Sequence, residues 1–124
     1  MSTLELAWNE AKKIINNRKG LRNALTDSIA VLQNIIVGED VGYFKESRIN
    51  EANALITQAQ KALENNDETD IKRSQTSIDN KINQINTEIT TAKTKQNELV
   101  QLFEELNTFM MDYEAFLLEE QKET

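Results

Sequence analysis

The chain has 124 residues, contains neither cysteine nor histidine, and carries a formal net charge of −7. Without cysteine the chain has no disulfide and no thiol nucleophile, and without histidine it lacks the commonest general base. The absence of both leaves few ligands for transition metals. We therefore predict that the protein is not an enzyme and that it uses no cofactor and no metal.

Proline is absent, and the only glycines are Gly20, Gly38 and Gly42. Because these residues punctuate strands and turns, their scarcity predicts a few long helices joined by short links. No apolar run approaches the roughly 18 residues of a membrane-spanning helix. The first residues, MSTLELAWNEAKK, lack the order of a secretory signal. We expect no membrane insertion, and either a cytoplasmic location or export without a cleaved signal peptide.

The first predicted helix covers about residues 2–37. Ser2 or Thr3 can cap it, and Glu5 suits its first turn. Apolar residues recur along it at helical spacing and share one face: Leu4, Ala7, Trp8, Ala11, Ile14, Ile15, Leu21, Leu25, Ile29, Leu32, Ile35 and Ile36. Gly20 costs roughly 1 kcal/mol relative to alanine in a helix. The stripe keeps its phase there, so we favour a continuous helix over a break.

Two polar turns delimit the next helices. Residues 38–42 form the clearest loop, and a second helix follows over about residues 44–65, with helical spacing of Ile49, Ala52, Ile56, Ala59 and Leu63. The second turn lies at residues 65–68. A third helix over about residues 69–121, capped by Thr69 or Asp70, follows it.

The third helix carries two interleaved series of residues spaced seven apart. The first series is Ile71, Ile78, Ile85, Ala92, Leu99, Leu106 and Tyr113, and the second series is Gln75, Ile82, Ile89, Gln96, Phe103, Met110 and Leu117. Such heptads are typical of coiled coils. The sequence predicts an all-α fold: a three-helix up-down-up bundle, residues 1–124 as one domain, with a long coiled-coil-like C-terminal helix.

The end of the third helix is both acidic and apolar. At 1.5 Å per residue the three helices would span roughly 50, 33 and 75 Å, so either the third helix breaks or its end needs a partner. Residues 98–124 hold eight acids against Lys122 alone. We predict a partner-binding face there, made by Phe103, Leu106, Phe109, Met110, Tyr113, Phe116 and Leu117. The alternative is that these side chains fill the core of the protein's own bundle.

A basic segment lies near the start of the chain. It consists of Lys12, Lys13, Arg18, Lys19 and Arg22, with no acid between them. The plainest interpretation is a solvated helix face. The alternative is electrostatic pairing with the acidic end, within or between chains. A net-acidic chain without aromatic residues interleaved among its bases is a weak candidate for nucleic-acid binding, so we predict no nucleic-acid partner.

Parts of the chain resemble two known helical families. The C-terminal helical lid of DnaK-type heat-shock chaperones is similar over about residues 22–86, at Arg22-Asn23, Asp27-Ser28-Ile29, Ala62-Leu63, Asn66-Asp67, Ile71-Lys72, Ile78, Ile82 and Ile85. FIVAR-type repeats of Gram-positive surface proteins are similar at residues 43–47, Leu55 and Leu63. Both resemblances imply a helical interaction module, and neither supplies a functional site. The lid family does not continue into a heptad helix as residues 86–120 do here.

These observations favour a non-enzymatic protein–protein interaction module. It would self-associate as a homo-oligomer or dock a protein partner through the C-terminal helix, with burial supplying affinity and charge setting orientation. Two alternatives stay open. The chain could be a small secretion-associated accessory or escort protein, or an acidic inhibitory or regulatory protein whose C-terminal charge occupies a basic site.

Overall fold

A computed structural model describes residues 2–123 of the chain. Three α-helices occupy most of this range: α1 (Thr3–Ile36), α2 (Ser47–Asn65) and α3 (Glu68–Glu123). A single 3₁₀ turn, Val41–Tyr43, lies between α1 and α2, and there is no strand among residues 2–123. The predicted all-α fold with three helices and a long C-terminal helix is confirmed.

The chain divides into two units, Met1–Ile89 and Thr90–Thr124. In the first unit, α1, α2 and residues 68–89 of α3 pack as an up-down-up bundle. The second unit consists of the remaining part of α3, which is helical as far as Glu123. A single domain over residues 1–124 stays a prediction.

The start of α1 follows from its capping residues. The Ser2 side chain, on extended backbone, accepts a hydrogen bond from the Glu5 amide at 3.2 Å, and so satisfies one of the free N–H groups of the first turn. From Thr3 the helix runs without interruption through Gly20 to Ile36, as predicted.

The link between α1 and α2 is longer than predicted. Helix α2 begins at Ser47 instead of about residue 44. Phe44 lies on extended backbone (φ −135°, ψ 165°), and its ring is buried with the core residues. Because this side chain covers apolar surface from a non-helical position, the helix starts only after it.

A tight turn joins α2 to α3. Asn66 adopts the left-handed conformation (φ 53°), which asparagine tolerates better than most residues. The Asp67 carboxylate then accepts hydrogen bonds from the amides of Thr69 (2.9 Å) and Asp70 (3.2 Å). Asp67 therefore caps α3, two residues before the predicted Thr69 and three before the predicted Asp70.

The core of the first unit draws equally on its three helices. Its buried members are Leu25, Ile29, Leu32 and Ile36 of α1, Ala52, Ile56, Ala59 and Ala62 of α2, Ile71, Ile78, Ile85 and Ile89 of α3, and Phe44. The three alanines of α2 let the larger side chains of its neighbours approach closely. Burying a large aliphatic side chain stabilises a fold by about 1.5–3 kcal/mol, so this cluster is the main source of stability.

A polar contact between α1 and α3 explains the glutamine of the second heptad series. Gln75 Nε2 donates to Ser28 Oγ at 2.5 Å and to the Asp79 carboxylate at 3.0 Å, and Ser28 Oγ donates to Asp79 Oδ1 at 3.1 Å. A polar residue at a seam position typically fixes the register of the helices at some cost in stability. Gln75 therefore aligns α3 with α1.

The apolar stripe of α1 is only partly used by the bundle. From Leu25 onward it is buried, whereas Leu4, Trp8, Ile14 and Ile15 are exposed. Two arginines, Arg18 and Arg22, occupy stripe positions just before the buried part. Their charged groups oppose burial there, and the N-terminal half of α1 keeps an apolar face in solvent.

Replacement of Gly20 is expected to stabilise the protein. A Cβ atom added at Gly20 meets nothing within 4 Å, and the backbone is helical there. Gly20→Ala should raise the free energy of unfolding by about 0.4–1 kcal/mol, measured by urea denaturation. Gly38→Ala is the matched control, because its Cβ would lie 2.9 Å from the Asn34 carbonyl oxygen, so it should destabilise. A lower midpoint for Gly20→Ala would contradict this assignment.

Candidate functional site

The second unit carries an exposed apolar stripe, which we call the C-terminal face. Its members are Leu99, Leu102, Phe103, Leu106, Phe109, Met110, Tyr113, Phe116 and Leu117. Their exposed fractions range from 40% for Leu117 to 66% for Phe109. At about 100° per residue all nine lie on one side of the helix. The seven residues predicted to bind a partner are all members of this face.

The C-terminal face continues the heptad pattern of the core. In the first series, Ile71, Ile78 and Ile85 are buried, and Ile78 and Ile85 are 0% exposed. Leu106, four heptads after Ile78, is 53% exposed. The same apolar spacing is therefore covered in one part of α3 and uncovered in another.

Aromatic rings give the C-terminal face much of its area. Phe109 and Tyr113 stack one helical turn apart, with ring centroids 6.4 Å apart and planes 8° from parallel. Aromatic side chains carry large contact areas and are common anchors of protein interfaces. A contiguous exposed apolar patch of this kind is unusual on a monomeric protein.

An acidic row borders the C-terminal face. Glu98, Glu105, Asp112 and Glu119 are spaced seven apart, are all exposed, and lie along one edge of the apolar stripe. In coiled coils, charged residues flanking the seam determine partner specificity and helix orientation. The sequence analysis identified the excess of acids but not the row. The seven-residue spacing of these acids is the signal that would have revealed it.

A second exposed apolar stripe lies on α1, and we call it the N-terminal face. It comprises Leu4, Ala7, Trp8, Ala11, Ile14 and Ile15. Ile14 is 56% exposed, although it lies on the same side of the helix as the buried Leu25 and Ile29. The sequence indicated this stripe, and the only local signal that the bundle would leave it uncovered was the pair Arg18 and Arg22 within it.

The five basic residues predicted to pair with acids do not form one cluster. Lys12 and Lys19 lie along one edge of the N-terminal face, and the Lys12 ammonium is 5.2 Å from the centroid of the Trp8 ring. Lys13 lies on the opposite side of the helix and pairs with Glu10 at 4.0 Å. Arg18 lies within the stripe, and no ion pair joins it to another residue in the range 2–123.

Arg22 has a structural role that the sequence did not indicate. Its guanidinium donates to the Leu63 carbonyl oxygen at 2.6 Å and to Asn66 Oδ1 at 3.1 Å. These acceptors lie at the C-terminal end of α2, where free carbonyl groups and the helix dipole favour a cation. Arg22 thus joins α1 to the turn between α2 and α3.

An open groove lies beside Arg22, between α1 and the end of α2. It is lined by Ile14, Ile15, Arg18, Lys19 and Arg22 of α1 and by Leu63, Glu64 and Asn66 at the end of α2. Three of its eight lining residues are apolar and three are cations, and Glu64 is its one anion. Such a groove suits an amphipathic helix that carries acidic residues beside its apolar face.

A separate ionic cluster joins α2 to α3 within the first unit. Arg48 contacts both Glu51 and Glu88 at 3.0 Å, and Lys81 contacts Glu51 at 2.7 Å. Arg48 holds the pKa of Glu88 below its usual range, and Lys81 followed by Arg48 does the same for the pKa of Glu51. Two cations balance two carboxylates, so the cluster is a clamp between helices and leaves no charge for a ligand.

The ionic cluster predicts acid-sensitive stability. Because folding lowers both carboxyl pKa values, the cluster stabilises the protein above about pH 4.3, the usual pKa of a free Glu, and this contribution is lost as pH falls through the folded-state values. Arg48→Met should lower Tm at pH 7 and have a much smaller effect at pH 3, measured by circular dichroism. Arg73→Met, which breaks only the exposed pair with Asp70, is the control. An equal loss in Tm at both pH values would contradict the clamp.

Fold and surfaces together define the class of the protein: an all-α bundle with two exposed amphipathic helical segments. Among residues 2–123 there is no group of three or more Asp or Glu side chains placed to hold a metal ion. Nor does any helix in that range have the length and apolarity to cross a membrane. Comparison of the chain with protein-family models, with curated proteins and with solved structures gives no match. The resemblances to DnaK-type lids and FIVAR-type repeats stay predictions.

Proposed function

We propose that the protein is a non-enzymatic interaction module that self-associates, or docks another protein, through its C-terminal face. One observation carries this proposal. The first heptad series is apolar from Ile71 to Tyr113, buried at Ile78 and Ile85, and exposed at Leu106. A surface helix normally keeps polar residues on its solvent side, so an uncovered apolar seam is best explained by a second molecule that covers it.

The width of the C-terminal face indicates the kind of surface that would cover it. A two-stranded coiled coil needs only the two heptad series. Here Leu102, Phe109 and Phe116 form a third row, also spaced seven apart. A stripe three rows wide suits packing against two helices, that is, against a groove. Burial of the apolar surface would supply the affinity of the contact, and the acidic row would orient it.

Absolute mass in solution tests the proposal. Light scattering on a sizing column is measured over a range of concentrations for the full chain and for a truncation ending at Gln96. We expect the full chain to form a dimer or larger assembly and the truncation to be monomeric. The truncation keeps every buried residue of the first unit, so its helical circular dichroism and Tm in dilute solution control for folding.

Hydrogen exchange separates the remaining outcomes. If the full chain is a monomer and its amides at residues 99–118 exchange rapidly, the C-terminal face is uncovered. The proposal then takes its second form, in which the face docks a different protein. A monomeric full chain whose amides there are strongly protected would overturn the proposal, because the face would then be covered by its own chain.

A further inference from the structure

We infer that the C-terminal face of one copy docks on the N-terminal face of a second copy, as a head-to-tail contact between unlike surfaces. This inference rests on the proposed function and names the partner of the C-terminal face. Its basis is that the described chain exposes two amphipathic stripes, one on α1 and one on α3. The bases at residues 12–22 and the acids at residues 98–124 are also separated along the chain.

The docking surface on α1 matches the C-terminal face in length once the groove is included. The N-terminal face alone, residues 4–15, rises about 18 Å, and the C-terminal face, residues 99–117, rises about 28 Å. The groove extends the α1 surface to Arg22, so that residues 4–22 also rise about 28 Å. The N-terminal face has small residues, Ala7 and Ala11, between its larger ones. Alanines provide the depressions into which the phenylalanine rings of the C-terminal face can insert, as close packing of helices requires.

The charges at the edges are also complementary. Lys12 and Lys19 border the N-terminal face in a row that begins at Glu5, and the acidic row borders the C-terminal face at the same seven-residue spacing. The lysines are the part of this edge that lies toward the groove, and there they would meet the acidic row. Arg18 adds a positive charge within the apolar stripe. An arginine at a seam position is best stabilised by a partner carboxylate beside it.

Contacts between like faces lack this complementarity. Residues 98–124 hold eight acids and one base, so two C-terminal faces would bring strong negative charge together. Two N-terminal faces in parallel would oppose Lys12, Lys19 and Arg18 to the same bases of the other copy. Like-charge juxtaposition disfavours the wrong partner, and therefore the unlike pairing is preferred.

The groove beside α1 explains why the C-terminal face is three rows wide. A helix lying along α1 at Ile14 and Ile15 also reaches Leu63 at the end of α2. It would then touch two helices at once, with Arg18 and Lys19 available to its acidic row. The N-terminal face and this groove form one continuous docking surface.

Head-to-tail contacts can form either a closed assembly or an open chain of copies. Two copies that exchange the contact form a closed dimer, whereas successive copies form an open chain. Both assemblies contain the same pair of surfaces, so the experiment below addresses the contact itself.

Charge reversal with mixing tests the inference on full chains. One variant is Lys12→Glu/Lys19→Glu and the other is Glu105→Lys/Asp112→Lys. Each alone opposes like charges, and we expect its self-association at low salt to weaken by about tenfold. In an equal mixture, the reversed N-terminal face of the first variant can bind the reversed C-terminal face of the second, and the two unchanged faces can bind each other. The mass of the wild-type assembly should therefore return. Lys61→Glu/Arg73→Glu, the same charge change at exposed positions outside both faces, should associate like the wild type.

Each other outcome has a definite meaning. If Lys12→Glu/Lys19→Glu associates like the wild type while Glu105→Lys/Asp112→Lys does not, the head-to-tail contact is wrong and the C-terminal face still functions in association. If the mixture stays dissociated, or if the wild-type chain is a monomer at all concentrations, a second copy is not the partner. If both variants associate like the wild type and salt has no effect, the charged edges do not direct the contact and the inference fails.

Discussion

Ile78→Ala is expected to lower the free energy of unfolding by about 2–5 kcal/mol, the usual cost of truncating a fully buried aliphatic side chain. Ile78 is 0% exposed, and it lies in the middle of the α3 residues that contribute to the core. Domains are stable by only about 5–15 kcal/mol, so the variant should lose a large share of its stability. Urea denaturation followed by circular dichroism at low protein concentration measures the change.

Leu106→Ala is the matched control for Ile78→Ala. Leu106 occupies the same heptad series but is 53% exposed. In dilute, monomeric protein its truncation should change the free energy of unfolding by less than about 0.5 kcal/mol. A loss comparable to that of Ile78→Ala under these conditions would mean that the C-terminal face is packed in the monomer, contrary to the structure.

Phe109→Ala is expected to weaken association by roughly 30-fold, which corresponds to a loss of about 2 kcal/mol. Phe109 is the most exposed member of the C-terminal face, at 66%, and its ring stacks on Tyr113. Exposed aromatic residues at the centre of an interface are typical hot spots because they bury much area with few rotatable bonds. The dissociation constant is measured by sedimentation equilibrium or light scattering across a concentration series.

Met111→Ala controls for the loss of exposed apolar surface as such. Met111 is as exposed as Phe109, but at about 100° per residue it lies roughly 140° from the middle of the face. We expect little change in association. If the methionine variant weakened association as much as the phenylalanine variant, binding would not be confined to the C-terminal face.

Periodicity predicted most of the fold. The seven-residue spacing of Ile71, Ile78 and Ile85 identified α3, and all three side chains are buried as the pattern indicates. The α1 stripe and Ser2 gave the course and the cap of the first helix correctly. Helix ends that depend on single side chains were harder to predict. The start of α2 depends on the buried ring of Phe44, a tertiary contact that has no local signature.

The C-terminal face on α3 could be predicted from the sequence. The exposure of the N-terminal face on α1 could be predicted only in part. The aromatic and acidic character of residues 98–118 is local, so sequence alone placed the C-terminal face. The exposure of the N-terminal face depends on where the bundle ends, and no local sequence pattern predicts that position. Arg18 and Arg22 within an apolar stripe were the available signal, because a seam that will be buried rarely holds two arginines one turn apart.

The ionic cluster could not be predicted from the sequence. Arg48 and Glu51 are close in the chain, but Lys81 and Glu88 meet them only because α2 and α3 pack in one particular register. Many other lysines and glutamates in the sequence have equivalent spacing. Selecting the real partners requires the three-dimensional arrangement of the helices.

The turn at Asn66 and Asp67 has a consequence for the order of folding events. Two residues join α2 to α3, so the chain entropy lost when these helices meet is small. Docking α1 requires closure of the longer segment between Ile36 and Ser47. We expect the α2–α3 hairpin to be the structured part of the transition state, with α1 joining afterwards. The absence of proline removes the commonest source of a slow refolding phase, so the whole process should be rapid.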